Sequence, residues 1–297
     1  MAELATIEPI ARLSSSGAGR TRGPLNAKLV VAGGFLALLV LIALLAPVIA
    51  PRDPLEQDLM LGTLPPAGFS GAEPGFWLGT DSLGRDVLSR LVHGTRIALF
   101  VAVAASFSAA LVGTTLGLLA GYCGGLVDTL VSRLVEIWMA FPPVLLAILI
   151  VAISGSGVHS VILAIALIDW TRFARVVRAE TLAQSRSDYV TAARAVGFGP
   201  TAILLREILP NVAPVLAVLV TMEMGIAVVV EAILSFVGLS VSSDTPTWGG
   251  MIAEGRQVIY QGWWIFAAPL LLLFLTALSF NQLGDGLRRA FDPVLRR

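Results

Sequence analysis

The chain has 297 residues, 56% of them hydrophobic and 13% charged, with a formal net charge of zero. Its mean hydropathy is +0.85, whereas soluble domains carry roughly 25% charged residues; so much apolar surface excludes a soluble fold and implies an all-α polytopic membrane protein. The zero net charge offers no basic surface for nucleic acid.

Residues 1–28 are polar, with Ser14-Ser15-Ser16, Gly17, Gly19 and three arginines, and read as a flexible cytoplasmic tail. The apolar run 29–50 is long enough, at about 1.5 Å per residue, to cross a hydrocarbon core of roughly 30 Å. It exceeds a signal-peptide core and is followed by Pro51, so it reads as a retained first span. Residues 51–94 form a Pro/Gly-rich extracytoplasmic loop with six acids between Asp53 and Asp86. Further spans are predicted over 97–121, 127–154, 158–177, 212–238 and 263–283, inside a transmembrane domain covering 95–284, with 285–297 as a cytoplasmic tail. Pro142-Pro143 should kink or end the first part of the 127–154 span. Gly113, Gly117 and Gly121 recur every four residues, a spacing that lets another backbone approach closely.

Six spans place both termini on one side. Fifteen of the twenty basic residues fall on the side of the termini, which puts both in the cytoplasm. Arg85, Arg90 and Arg96 run against that bias and alternate with Asp81 and Asp86, so local pairing is expected. The loops of the two halves do not match, which argues against an inverted-repeat secondary transporter.

Rare residues exclude several chemistries. Cys123 is the only cysteine, so there is no intrachain disulfide and no cysteine zinc site. His93 and His159 are the only histidines, far apart and without metal-site spacing. Lys28 is the only lysine and follows Asn26-Ala27, so no phosphate-binding Gly-Lys-Ser/Thr loop exists. If ATP drives this protein, another subunit must hydrolyse it.

The segment 185–211 reads as two short helices. Ser187 or Asp188 can cap the first, which runs over Tyr189–Val196; Gly197 suits the left-handed position that ends it. Gly199-Pro200 makes a turn into a second helix over Thr201–Ile208, with Pro210 at its exit. Ala192, Ala193 and Gly197 give a smooth surface, ringed by Arg186, Arg194 and Arg206. Such a surface fits a groove on a soluble partner or, alternatively, the anionic headgroups of the membrane.

This stretch resembles the EAA loop of ABC-importer permeases: Glu-Ala-Ala, three residues, Gly, nine residues, Ile-x-Leu-Pro. Ala192, Ala193, Gly197, Leu209 and Pro210 match at that spacing; Thr191 replaces the glutamate and Glu207 the isoleucine. Phe76–Leu99, Glu231–Ile252 and the terminal Gly284-Asp285-Gly286-Leu287-Arg288 with Asp292-Pro293 are similar to dipeptide/oligopeptide-type permeases, in the same order. The chain resembles the second, C-type permease of a peptide/nickel-class importer. The resemblance implies a type I importer permease in a bacterial or archaeal cell membrane, paired with a homologous second permease. It further implies two cytoplasmic P-loop ATPases that carry ATP and Mg and dock on the loop around Asp188, Tyr189, Ala192, Ala193, Arg194, Gly197, Gly199, Pro200, Leu209 and Pro210. An extracytoplasmic binding protein would deliver the solute. The expected cargo is a di- or oligopeptide; nickel, glutathione and opine-like solutes stay open. No cofactor and no catalysis are expected of the chain itself.

Glu223 and Glu231 lie within the 212–238 span, where a charge costs about 2.5 to 3.5 kcal/mol on insertion scales. They are candidates for lining the path or for internal hydrogen bonds. Arg85, Asp86, Arg90 and Trp248 are candidates for the outer mouth or for binding-protein contact, the alternative being an ion-paired folded loop. Arg133 and Glu136, three apart on one helix face, should pair. Asp169 should pair with the arginines that follow it. The alternatives in function are an ion-coupled secondary transporter, which would work without ATPases, and a membrane enzyme, for which no catalytic constellation is found.

Overall fold

The computed structural model describes residues 27–239 and 245–291. The tail over 1–26, the linker 240–244 and the end 292–297 lie outside the described residues. The described residues are mostly helical, with a loop over 50–86 that holds a single 3-10 turn, Leu59–Leu61, and one isolated bridge, between Thr80 and Asp86. The helices are α1 (Ala27–Ile49), α2 (Val87–Cys123), α3 (Gly125–Met139), α4 (Pro143–Ser154), α5 (Val158–Gln184), α6 (Asp188–Ala195), α7 (Pro200–Ala202), α8 (Leu209–Phe236), α9 (Trp248–Gln257) and α10 (Trp263–Phe291). The molecule thus has an α6 end and an α9 end, joined by the 37-residue helical run Pro200–Phe236.

Four helical runs are long and apolar enough to cross a membrane: Lys28–Ile49, Val87–Cys123, Pro200–Phe236 and Trp263–Phe291. The pair α3–α4, bent by 89°, makes a fifth if it counts as one span. Of the six spans predicted, α5 is the one that fails this test, because Asp169, Arg172 and Arg175 enter it. Packing shields it instead: Val161, Ala164, Ile165, Phe173, Ala174 and Val177 are all buried.

The most extensive helix pair is α2 with α5, and small residues make it possible. A Cβ on Gly117 would stand 2.7 Å from the Ala174 carbonyl oxygen, and one on Gly121 would stand 2.6 Å from Thr181 Cβ. Gly113 presses against the Trp170 backbone in the same way. Removing the side chain from one stripe is what lets the two backbones meet. Large apolar residues elsewhere, such as Val31 and Val48 on α1, point away from the bundle.

Boundaries differ from expectation for local reasons. The second span was expected at 97 but α2 starts at Val87, because the Asp86 carboxylate accepts from Ser89 N at 2.7 Å and caps it. Residues 87–94 are therefore helix, not loop. The break at Met139–Pro143 follows from Pro142, held extended by the proline after it, and from Pro143 at the first helical position. The exit expected at Pro210 does not occur. A π-helical turn over Ile203–Ile208 widens the helix ahead of Pro210, and Asn211 Nδ2 donates to the Glu207 carbonyl at 2.6 Å. The wider turn accommodates the ring, so the chain runs straight on into α8. α10 continues to Phe291 through most of the expected C-tail.

Candidate functional site

The chain turns back at the α6 end through a small folded unit. Val190 and Ala193 of α6, Ile203 and Ile208 of the π turn, and Val212 of α8 close a core against Leu118 and Val177. Tyr189 fixes the corner: its hydroxyl donates to Gln184 Oε1 at 2.8 Å, closing the end of α5. Ser187 occupies the cap position, but its hydroxyl donates back to the Gln184 carbonyl and makes no capping bond.

Gly197 ends α6 as the spacing predicts. Its φ is +94°, its N–H donates to the Arg194 carbonyl and the Phe198 N–H to the Ala193 carbonyl, both at 3.0 Å. That is the paired-bond termination that glycine makes possible. A Cβ at Gly197 would meet nothing within 4 Å, so within this chain it is the backbone angle, not crowding, that calls for glycine there.

Of the docking-loop residues, Asp188, Ala192, Arg194, Gly197, Gly199, Pro200 and Pro210 are exposed, while Tyr189 and Leu209 are half-buried. Ala193 faces inward, contrary to its expected place on the smooth surface, because α6 turns it with Val190 onto the small core. The sequence reading missed the apolar residues that do face out: Val196 is 79% exposed, and Phe198 and Leu205 are exposed beside it. The Arg194 guanidinium sits over the Tyr122 ring at 5.2 Å.

Two clusters of buried charge lie along the bundle. Near the α9 end, Arg85 Nε donates to Asp81 Oδ2 at 2.7 Å and Arg85 Nη2 to Glu254 Oε2 at 2.8 Å. Arg90 reaches the same two carboxylates, Asp81 and, at 2.6 and 3.1 Å, both oxygens of Glu254. Asp86 caps α2 and also accepts from Ser89 Oγ at 2.6 Å. Arg85, Asp86 and Arg90 are all buried. Trp248 is fully buried too, its indole donating to the Leu91 carbonyl at 3.2 Å while Gly94 leaves room for its ring. Within this chain Arg85 and Arg90 are ion-paired and Asp86 caps α2, the geometry of a folded loop. The segment 76–90 is latched onto α9, and Trp264 adds a bond to the Thr80 carbonyl.

Nearer the α6 end, Arg172 of α5 reaches Asp169 at 3.9 Å and Glu223 of α8 at 3.4 Å. Both acids are buried, Glu223 to 1%, whereas Arg172 is 44% exposed on its side chain. Glu223 Oε1 makes no hydrogen bond. Glu223 thus sits inside a helix contact rather than on an open surface. Glu231 is buried and accepts from Ser235 Oγ at 2.5 Å. Arg133 and Glu136 pair at 2.6 Å. An unforeseen pair joins α3 to α5, where Arg178 holds both oxygens of Asp128, one at 2.7 Å. Among the described residues no group of three metal-ligating side chains occurs.

Residues 113–297 match the family described as binding-protein-dependent transport system inner membrane component, and 27–66 match the N-terminal transmembrane domain of oligopeptide transport permease C. The di/tripeptide transport system permease protein DppC of Pseudomonas aeruginosa is 40% identical over 88% of this chain and 86% of its own. The glutathione transport system permease protein GsiD of Pectobacterium atrosepticum is 41% identical over 90% and 87%. A solved structure of the MetNI methionine ABC transporter, in an inward-facing conformation, aligns with a TM-score of 0.56 at 23% identity, covering 68% of this chain and 95% of that one. A polytopic helical bundle with a compact turn at one end and a latched loop at the other is the form of a membrane-embedded permease. The chain belongs to the binding-protein-dependent transport system inner membrane component family, as an ABC-importer permease subunit with the oligopeptide permease C type of N-terminal domain.

Proposed function

We propose that this permease forms half of a path for di- or oligopeptides and is driven by separate ATPases that seat on the 187–210 loop. The observation carrying this reading is the exposed apolar set Val196, Phe198 and Leu205 on a folded turn rimmed by Arg186, Arg194 and Arg206. Apolar side chains ringed by cations are suited to a groove on a soluble protein. The turn and both termini lie in the cytoplasm, on the basic-residue bias. ATP and Mg belong to the ATPases, since this chain has no Gly-Lys-Ser/Thr loop. A homologous permease completes the path, and a binding protein meets the α9 end. Peptide cargo rests on relatives named for dipeptide, di/tripeptide and glutathione transport.

The test is made on the whole importer in proteoliposomes. Gly197→Val forces a β-branched residue into a left-handed backbone, a strain of roughly 1–2 kcal/mol confined to the turn. Uptake and substrate-stimulated ATP hydrolysis should fall below a tenth of wild type, while membrane insertion stays normal. Phe198→Ser should act the same way without backbone strain. Normal uptake by both variants would remove the docking role. Ion-driven accumulation by the chain alone, with no companions, would remove the importer reading altogether.

A further inference from the structure

Between α1, α2 and the start of α5 lies a crevice of about 730 Å³, within the roughly 300–1,000 Å³ usual for small-molecule sites. Its walls change character with depth. Arg96 and His93 of α2 and His159 of α5 stand toward the α9 end; Leu44 of α1 with Phe100 and Val103 of α2 line the rest. On α2, Val103 lies about 10 Å deeper than Arg96, at 1.5 Å per residue. No carboxylate appears among the described lining residues.

Arg96 is the unusual member. At this end of the bundle Arg85 and Arg90 are ion-paired, Arg52 lies over the Phe76 ring, and Arg256 lies over Phe236. Arg96 is exposed and has no ion pair, hydrogen bond or ring contact among the described residues. His159 is likewise exposed and unpaired, and it sits in the first turn of a helix whose N-cap, Gly157, offers no side-chain bond. His93 is oriented by its Nδ1, 3.0 Å from the Ser89 carbonyl oxygen.

We propose that this crevice is a binding site for one anionic phospholipid. The phosphate sits against Arg96 and His159, and one acyl chain runs down the groove of Leu44, Phe100 and Val103. A guanidinium at headgroup depth above an apolar groove matches a phosphate carried on a hydrocarbon chain, and with cationic and imidazole groups but no carboxylate among the described lining residues the crevice favours a net negative headgroup. The lipid would join α1 to the core helices α2 and α5, a role separate from the docking turn. The inference rests only on the membrane-spanning reading.

The whole importer, delipidated in neutral detergent, is titrated with phosphatidylglycerol and read by native mass spectrometry. Wild type should hold one lipid more than Arg96→Gln/His159→Gln, with affinity about tenfold higher for each charge-assisted contact kept. Both side chains are exposed, so the variant should insert and melt like wild type. Leu44→Trp, which fills the groove and keeps Arg96 and His159, should also lose the lipid. Equal retention by wild type and the double glutamine variant would overturn the site. Phosphatidylcholine held as tightly as phosphatidylglycerol would overturn its anionic selectivity. Displacement by inorganic phosphate at equal concentration would make it an anion site and overturn the lipid assignment. Uptake is not the readout, so failure here leaves the transport reading intact.

Discussion

The two buried charge clusters are built to different standards. Near the α9 end, two arginines meet two carboxylates, the buried Asp81 and Glu254, whose side chain is 36% exposed, with Arg90 at 2.6 Å and Arg85 at 2.8 Å from Glu254. Nearer the α6 end, two buried acids share one arginine, half in water, at 3.4 and 3.9 Å. The first cluster joins the loop carrying Asp81 and Arg85, and the first turn of α2 with Arg90, to α9. The second ties α5 to α8, the two helices that run into the turn around α6. A matched set in which Asp81, Arg85 and Arg90 are buried resists rearrangement, since separating it strands those charges in a low dielectric. A long, unbalanced set loses little by opening. The bundle is therefore stapled at one end and loosely held at the other, on the side where a partner is proposed to push.

The largest effect should come from the staple. Arg90→Gln removes its contacts to Asp81 and Glu254 and leaves Arg85 alone with both acids. Breaking one member of a buried set costs about 3–5 kcal/mol. The purified importer should unfold at clearly lower denaturing-detergent fraction than wild type, and the 76–90 segment should become sensitive to protease. Adding Asp81→Asn should recover part of the loss, because the stranded charge is then gone. An Arg90→Gln protein that unfolds like wild type would show that the staple does not hold the loop.

The loose cluster should answer differently. Glu223→Gln keeps the side-chain shape and leaves an amide that can bond Asp169 or Arg172, so stability should stay within about 1 kcal/mol of wild type. The change should appear in coupling instead. Basal ATP hydrolysis by the reconstituted importer should shift by roughly twofold to tenfold, matching a hydrogen bond worth about 0.5–1.5 kcal/mol. A large stability loss with unchanged hydrolysis would make this cluster a second staple and erase the contrast.

How much of this was legible beforehand depended on whether the signal was local. Gly197 announced its left-handed turn, Arg133–Glu136 its pairing and Pro142-Pro143 its break, because each depends on neighbours a few residues away. The glycine stripe of α2 could be seen, but not that Ala174 and Thr181 of α5 would fill it. The start of α2 at Val87 was missed although Asp86 is a capping residue, since hydropathy outweighed the cap. The passage through Pro210 was missed because a π turn leaves no compositional mark. Pairs such as Arg178–Asp128, Arg90–Glu254 and Arg172–Glu223 join residues 50 or more positions apart, and only the fold brings them together. Trp248, offered as a candidate for the outer mouth, is buried instead, in space that Gly94 leaves for its ring.

The smallest predicted effect isolates what sets the first two apart. Arg133 meets Glu136 at 2.6 Å, the same distance that separates Arg90 from Glu254. The geometry is equal, but the Arg133 side chain is 72% exposed and that of Arg90 only 4%. An exposed pair gains little Coulomb energy, must immobilise two long side chains, and is screened by salt, so its net worth is about 0–1 kcal/mol. Each partner of an exposed pair, left alone, is simply hydrated. Arg133→Gln should therefore change neither the unfolding midpoint nor uptake beyond measurement error, and raising the salt should leave wild type and variant alike. If Arg133→Gln instead destabilised the importer as Arg90→Gln is expected to, the α3 surface would have to be covered in the assembled importer, and burial in the single chain would no longer rank these ion pairs.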